Sequence, residues 1–330
     1  MTPQDPPALL AQARAFMEAR ILLTGAELAV FDLLAAEALR ADQVAQRLGL
    51  DRRATGVLLD ALAAMEHLEK HDDSYRDAAH AVAFLTSSAP TSIVPMLLHQ
   101  NGLWKRWSAL TQVVQTGSPS TEVASTGRDA DLRAFIGAMH VVGAAQADAT
   151  AAQMQLGDAR LLLDVGGASG TYVLACLRRS PHLRATLFDR PPVVEMARER
   201  LEREGVLDRV TLVGGDFYAD DLPSGHDLVL LSAIIHQNSR QQNVDLYRKC
   251  LAALVPGGRL VIRDHVMSPD RTWPAAGALF AVNMLVGTPG GGTYTLAEID
   301  EDLRSAGFER VRQIHSGEVM DSLVEAYRPL

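Results

Sequence analysis

Residues 161–177 read LLLDVGGASGTYVLACL, and this stretch decides the fold. An apolar run ends in Asp164, a glycine-rich turn follows, and a helix is predicted from about Thr171. A buried strand feeding a helix through glycines is the first unit of a doubly wound α/β sheet. Gly166, Gly167 and Gly170 allow a ligand to lie against the backbone and allow positive φ. The G-x-G-x-x-G spacing of a dinucleotide site is absent, so the turn does not read as a pyrophosphate cradle. With an acid two residues before the first glycine, it suits a charged cofactor lacking pyrophosphate. Asp164 can attract the ammonium of a methionine moiety.

Short apolar runs at Leu161–Val165, Ala185–Asp189, Val210–Val213, Leu228–Ser232 and Leu260–Asp264 alternate with helical stretches. Val311–Ile314 and Ser322–Tyr327 add two closing strands, predicting a Rossmann-like, mostly parallel seven-stranded sheet over residues 157–330. Two further acids stand at strand ends. Asp189, followed by Arg190, suits the two ribose hydroxyls; Asp216 suits an adenine amino group, with Phe217 packing on the ring. One strand-end Asp commonly caps a turn, but three in register around a glycine turn converge where such sheets bind ligands.

Upstream, residues 1–115 carry apolar residues at helical spacing (Leu9, Phe16, Ile21, Leu22, Leu28, Phe31, Leu34). In residues 41–70 one helix runs from Ala41 to Leu48 and Gly49 ends it. Asp51 caps the next, which is expected to turn Val57, Leu58, Leu62 and Met65 inward. Residues 71–84 fit a short hairpin wing, so the N-terminal domain reads as a winged helix-turn-helix, classed as all-helical. A polar loop, Thr116–Arg128, precedes a helix over about 129–155, and the segment 116–156 connects the two domains and contributes to a substrate pocket.

The net charge of −9 opposes a nucleic-acid or acidic-membrane partner, since binding phosphates needs concentrated positive charge. Cys176 and Cys250 have no pairing or metal-ligand spacing, which fits a reducing cytoplasm. The start, MTPQDPP, lacks the features of a signal peptide, and no apolar run approaches a membrane span. Nothing in the sequence calls for a divalent metal.

LLLDVGGASG, FDRPPVV (188–194), GGDFY (214–218), LSAIIH (231–236) and LVPGGRLVIRD (254–264) together resemble one family, as does ILLTGAELAVFDLL (21–34). It is the small-molecule O-methyltransferases with an N-terminal winged-helix dimerisation domain. Plant caffeate enzymes, acetylserotonin methyltransferase and antibiotic-tailoring enzymes belong to it. The resemblance implies a homodimer that binds S-adenosylmethionine and methylates a hydroxyl of a small, flat, largely apolar acceptor. The candidate cofactor set is Asp164, Gly166, Gly167, Gly170, Asp189, Arg190, Asp216, Phe217 and Ser232.

Removing a phenol proton suits a His of near-neutral pKa, and His236 follows the fourth strand. The resemblance makes it the general base and Asp264 its orienting acid. The family usually follows this His with Asp and Trp, where Gln237 and Asn238 stand. Its frequent Lys four residues earlier is Ser232, and its second supporting Glu is Thr293. Phe135, Met139, His140, Asn283 and Met284 match acceptor-facing positions, and the same side chains also suit a core between helices. Trp104 and Trp107 are expected at the dimer interface.

Other readings stay open. They are a C- or N-methyltransferase, an enzyme of this fold using the bound cofactor for non-methylating chemistry, and a ligand-sensing DNA-binding regulator presenting Arg52 and Arg53.

Overall fold

The computed structural model describes residues 5–119 and 129–330. Part of the MTPQDPP start and most of the polar loop before the long helix lie outside the described residues. The described chain sorts into two units, residues 5–105 with 129–141, and residues 106–119 with 142–330.

The first unit opens with α1 (Pro6–Glu27), whose N-terminus is capped by the Asp5 carboxylate on the Ala8 amide, 2.8 Å away. There follow α2 (Val30–Leu34), β1 (Leu39–Arg40), α3 (Ala41–Leu48), α4 (Arg52–Ala64), β2 (Leu68–His71), β3 (Ser74–Asp77) and α5 (Ala79–Phe84). As the sequence predicts, Gly49 closes α3 in the left-handed region (φ 67°) and Asp51 caps α4 through the Ala54 amide.

Two expectations are corrected. The domain is not all-helical, because β1, β3 and β2 form an antiparallel three-stranded sheet. Two-residue β1 is too short to show a period in sequence, yet Leu39 pairs with Tyr75 and both are buried. Val57 is 61% exposed, and the buried stripe of α4 is Thr55, Leu59 and Leu62. Steps of four and three keep that stripe on one face, whereas Val57 lies about 200° round from Thr55.

Three helices come next: α6 (Val94–Ser108), α7 (Leu110–Thr116) and α8 (Asp129–Gln153), with α6 and α8 each divided between the units. The second unit then alternates β4 (Leu161–Val165), α9 (Thr171–Arg179), β5 (Arg184–Asp189), α10 (Pro191–Arg203), β6 (Val210–Gly214), β7 (His226–Ser232), α11 (Arg240–Ala253) and β8 (Leu254–Asp264). It ends with β9 (Val266–Met267), α12 (Ala275–Gly287), β10 (Tyr294–Thr295), α13 (Leu296–Ser305), β11 (Glu309–His315) and β12 (Ser322–Tyr327).

Among the described residues seven strands form one Rossmann-like sheet in the order β11-β12-β8-β7-β4-β5-β6. All pairs from β8 to β6 are parallel, and β12 runs antiparallel to both β8 and β11. The order reverses at β4 and β7, so a crevice opens beyond their carboxyl ends. Alternate residues feed opposite layers. Leu163, Val165, Leu231 and Ile262 bury on one face, and Leu162, Leu187, Leu230 and Val261 on the other. Both faces being covered explains why these strands read as unbroken apolar runs.

One charge is built into this core. Glu325 of β12 is 1% exposed and accepts from Arg259 at 3.1 Å and from the outer Arg312. Because removal of one partner strands the other charge, Glu325→Ala is expected to cost about 3–5 kcal/mol in urea unfolding. A cost below about 1 kcal/mol is the result that would make the pair dispensable.

Candidate active site

Every group at the crevice is set by how its strand ends. At the end of β4, Gly166 (φ 72°) and Gly170 (φ 75°) take conformations that L side chains rarely adopt. A Cβ on Gly166 would stand 2.5 Å from Ile234 Cδ1, so the backbone there is as close to the neighbouring turn as it can come. Gly167 is needed for space alone, since its φ is negative and a Cβ would sit 2.8 Å from Leu187 Cγ. The residue turned left-handed beside it is Ala168 (φ 48°).

That turn is pinned by Asp189, at the end of β5. Its carboxylate accepts from the Ala168 amide at 2.9 Å and from the Arg190 amide at 2.7 Å. Each oxygen keeps acceptor capacity for a ligand. Burial, ahead of those opposing amide bonds, raises the Asp189 carboxyl above its ordinary range. The Arg190 side chain is exposed and its backbone caps α10.

Asp164 is 1% exposed and its Oδ2 is buried with no hydrogen-bond partner. Burial first, and the Asp189 charge second, push its carboxyl up to about 7. An orphaned buried carboxylate beside a glycine cradle is a site built for a positive group that the protein does not supply.

At the end of β6, Asp216 is exposed and accepts from the Tyr218 amide at 2.9 Å. The Phe217 ring reaches within 3.7 Å of the point where a Gly166 Cβ would lie, so it borders the glycine turn. Lys249 fixes this loop by donating to the carbonyls of Phe217, Tyr218 and Asp220 at 2.8–3.0 Å.

At the end of β7, Ala233 turns left-handed (φ 58°), and a 3-10 turn over Ile235–Gln237 presents His236. Its Nδ1 lies 2.9 Å from Asp264 Oδ2 and 3.1 Å from Oδ1, and the two side chains are 12% and 1% exposed. Burial works to raise the Asp264 carboxyl. The charge and hydrogen bond of His236, helped by the His265 amide at 2.8 Å, outweigh it and hold the group below the usual range. An ionised carboxylate only accepts, so the proton belongs on Nδ1 and the lone pair on Nε2.

Four groups that sequence reasoning missed hold this arrangement. Phe280 of α12 packs edge-on to His236, ring centroids 4.8 Å apart at 86°. His265 packs on the same ring at 5.2 Å and is kept neutral by burial. Asn238, fully buried, accepts from Tyr218 Oη, donates to Asn243 at 3.0 Å and offers its carbonyl to Tyr294. Arg263 of β8 donates to Ser232 Oγ at 3.2 Å. Of these, Asn238 was marked in the sequence only as a departure from the family, and Phe280 carried a signal at i−3 and i−4 from the candidate pair Asn283 and Met284.

Thr293, where a supporting acid was expected, is buried, and the adjacent Gly292 amide donates 2.8 Å to the His236 carbonyl. Asn283 accepts from the Trp107 indole at 3.0 Å, which occupies Trp107 within its own unit, and Met284 is buried in α12. Trp104 stacks under Arg20 in the first unit, 5.7 Å from the guanidinium. Phe135, Met139 and His140 lie on α8 in that unit, with Phe135 edge-on to His99 at 5.3 Å.

Comparison with known proteins places this architecture. Residues 111–309 match an O-methyltransferase domain and residues 10–87 an O-methyltransferase dimerisation domain. The chain is 35% identical to 3-hydroxy-5-methyl-1-naphthoate 3-O-methyltransferase of Streptomyces sahachiroi, over 93% of this chain and 91% of that one. It is 32% identical to the tetracenomycin polyketide synthesis 8-O-methyl transferase of Streptomyces glaucescens, over 94% and 95%. Its fold superposes on human N-acetylserotonin methyltransferase in complex with S-adenosylmethionine with a TM-score of 0.84, at 25% identity and full coverage of both chains.

The dry Asp164 carboxyl has a consequence for stability. A carboxyl raised above its unfolded value costs nothing below about pH 4, and the cost grows until it is complete above about pH 7. Asp164→Asn is therefore expected to raise the melting temperature of the ligand-free protein at pH 8 by about 2–5 °C. Little change is expected at pH 4. An equal effect at both pH values, or a loss at pH 8, is the contrary outcome.

Proposed function

The chain belongs to the S-adenosylmethionine-dependent O-methyltransferases, and from that premise we propose that it methylates a hydroxyl of a small aromatic metabolite with His236 as general base. The observation that carries this reading is the buried pair of His236 and Asp264 at 2.9 Å, with Nε2 left to accept a proton.

The bound cofactor supplies an electrophilic methyl group on a sulfonium, ready for in-line displacement by an oxygen nucleophile. The residues fit that molecule. Asp164 meets the ammonium, Asp189 and its neighbour Arg190 flank the ribose, and Asp216 faces the adenine amino group with Phe217 against the ring. Gly166, Gly167 and Gly170 keep the floor free of side chains, and Ser232 borders the methionine end.

His236 would take the acceptor's hydroxyl proton at Nε2, leaving the oxygen free to displace the methyl group that the cofactor supplies when bound. Asp264 holds the imidazole in the tautomer with its lone pair on Nε2 and stabilises the imidazolium. Phe280, with Met284 one turn further along α12, offers an apolar surface suited to a flat acceptor, and Asn283 beside them adds a polar group held by the Trp107 indole. Phe135, Met139 and His140 keep their candidacy on sequence position. The aromatic character also draws support from the naphthoate and polyketide named for the two Streptomyces relatives.

The dimerisation domain supports a homodimer, and α1 offers Leu9, Leu10, Phe16 and Met17, each more than half exposed, for such an interface. Cys176 and Cys250 are free and buried, which fits a cytoplasmic setting. Among the described residues, no helix is long and apolar enough to cross a membrane.

With hydroxylated naphthoates as acceptors, His236→Ala is expected to lower kcat about 10²- to 10⁴-fold. S-adenosylhomocysteine affinity should stay within about twofold, since the base makes no cofactor contact. Asp264→Asn should lower kcat about 10- to 100-fold. Full activity of His236→Ala at neutral pH removes the general base from the scheme.

A further inference from the structure

Among the described residues the second buried charge at the crevice makes no ion pair, and the Asp264 and Asp321 carboxylates act on it only from beyond that distance. Arg263, the penultimate residue of β8, is 2% exposed. Its Nη1 donates to Ser232 Oγ at 3.2 Å and its Nη2 to Gln146 Oε1 at 2.8 Å, both neutral acceptors. Its Nε is buried without a partner, and its guanidinium lies over the Tyr172 ring at 4.8 Å. Among the described residues no carboxylate reaches it within ion-pair distance. Guanidinium stays charged in proteins, and a buried charge is retained only where something compensates it.

The missing compensation has a definite place. Arg263 pairs in register with Ser232 on β7, and β7 neighbours β4, which ends in Asp164. On the sheet, Arg263 shares a face with Val261, and Asp164 shares that same face with Leu162. Asp264 and His236 occupy the opposite face. Arg263 and Asp164 are therefore two strand spacings apart and two residues out of level, about 12 Å between backbones. Beside this buried cation and this buried anion lies Tyr172, its hydroxyl buried next to Ser232, and it feels the charges of Arg263, Asp164 and Asp321. An α-amino acid zwitterion has the charges, the order and the size to satisfy all three groups.

We propose that Arg263 anchors the α-carboxylate of the cofactor's methionine moiety while Asp164 holds its α-ammonium. The assignment rests on the methionine end lying at Asp164. It also accounts for Ser232. The cation that the family resemblance places at that position is absent from β7, and the neighbouring strand brings one to the same spot, with the small Ser232 side chain leaving it room. Arg263 is thus a cofactor-binding and specificity residue, one that reads the amino-acid tail rather than the nucleoside.

The test compares three ligands by calorimetric titration. They are S-adenosylhomocysteine, its decarboxylated analogue S-adenosyl-3-thiopropylamine, and 5′-methylthioadenosine, which lacks the whole amino-acid tail. The wild type should prefer S-adenosylhomocysteine over the decarboxylated amine by about 10- to 100-fold, the range of a charge-assisted hydrogen-bonded pair. Arg263→Met should shrink that preference to within about threefold and leave 5′-methylthioadenosine affinity unchanged. Arg263→Lys should keep part of the preference.

Equal binding of the first two ligands by the wild type overturns the proposal and does not depend on any variant folding. Equal weakening of all three ligands in Arg263→Met overturns it as well, because that is the signature of a structural role. Asp164→Asn separates the underlying placement, since it should abolish the discrimination between the amine and 5′-methylthioadenosine. If that arm alone fails, the ammonium placement falls and the carboxylate anchor stands.

Discussion

Charge kept dry at the carboxyl ends of the central strands is the constraint around which the rest of this protein is arranged. Asp164, Arg263 and Asp264 are each 2% exposed or less, and each ends or nearly ends a strand. Only Asp264 has its counter-ion within the chain, in His236. The other two have no ion pair in the free protein, Arg263 being met by neutral acceptors and the Tyr172 ring, so the sheet that surrounds them must be rigid enough to hold them. Two apolar layers, one on each face, give it that rigidity. Function and stability are therefore opposed at Asp164, the usual signature of a site that waits for a ligand.

The glycine turn serves the same constraint from the other side. A ligand can satisfy Asp164 only if the chain beyond it leaves space, and Gly166 and Gly167 do so because any Cβ would strike Ile234 or Leu187. Asp189 is spent partly on the protein itself, bonding the Ala168 amide so that the turn keeps its shape without the ligand. The cradle is thus organised before binding, which lowers the conformational cost of association.

On the opposite face of the sheet, the chain departs from its family after His236 without loosening the turn that carries it. Asn238, where a Trp is usual, is fully buried and ties Tyr218, Asn243 and Tyr294 to the turn that carries His236. Tyr218 belongs to the loop that follows β6, next to Asp216 and Phe217, so one side chain links that loop to the turn carrying His236. The expected second acid is replaced by Thr293, and the glycine stretch holds the His236 carbonyl through the Gly292 amide instead. Support by backbone and amide groups has taken the place of support by charge.

While the pairing of His236 with Asp264 came from the family resemblance, the sequence by itself determined the alternation of strands and helices, the turn at Gly166–Gly170 and the strand-end acids. Each is a local signal, an apolar run, a glycine spacing or an acid at a strand end, and local signals survive without coordinates. It classed the N-terminal domain as all-helical while reading a hairpin wing over residues 71–84; the hairpin lies at Leu68–Asp77, residues 79–84 are helical, and two-residue β1 gains its place only by pairing with β3. It put Val57 inside because a two-residue error of phase on a helix is invisible until neighbouring elements choose the buried face. Arg263, read only as part of a strand, became a charged group facing Asp164 through the order β8-β7-β4, which brings residues 263 and 164 to one face across nearly a hundred positions of chain. Which side chains stand unpaired depends on what lies across the sheet, and only the tertiary structure decides that.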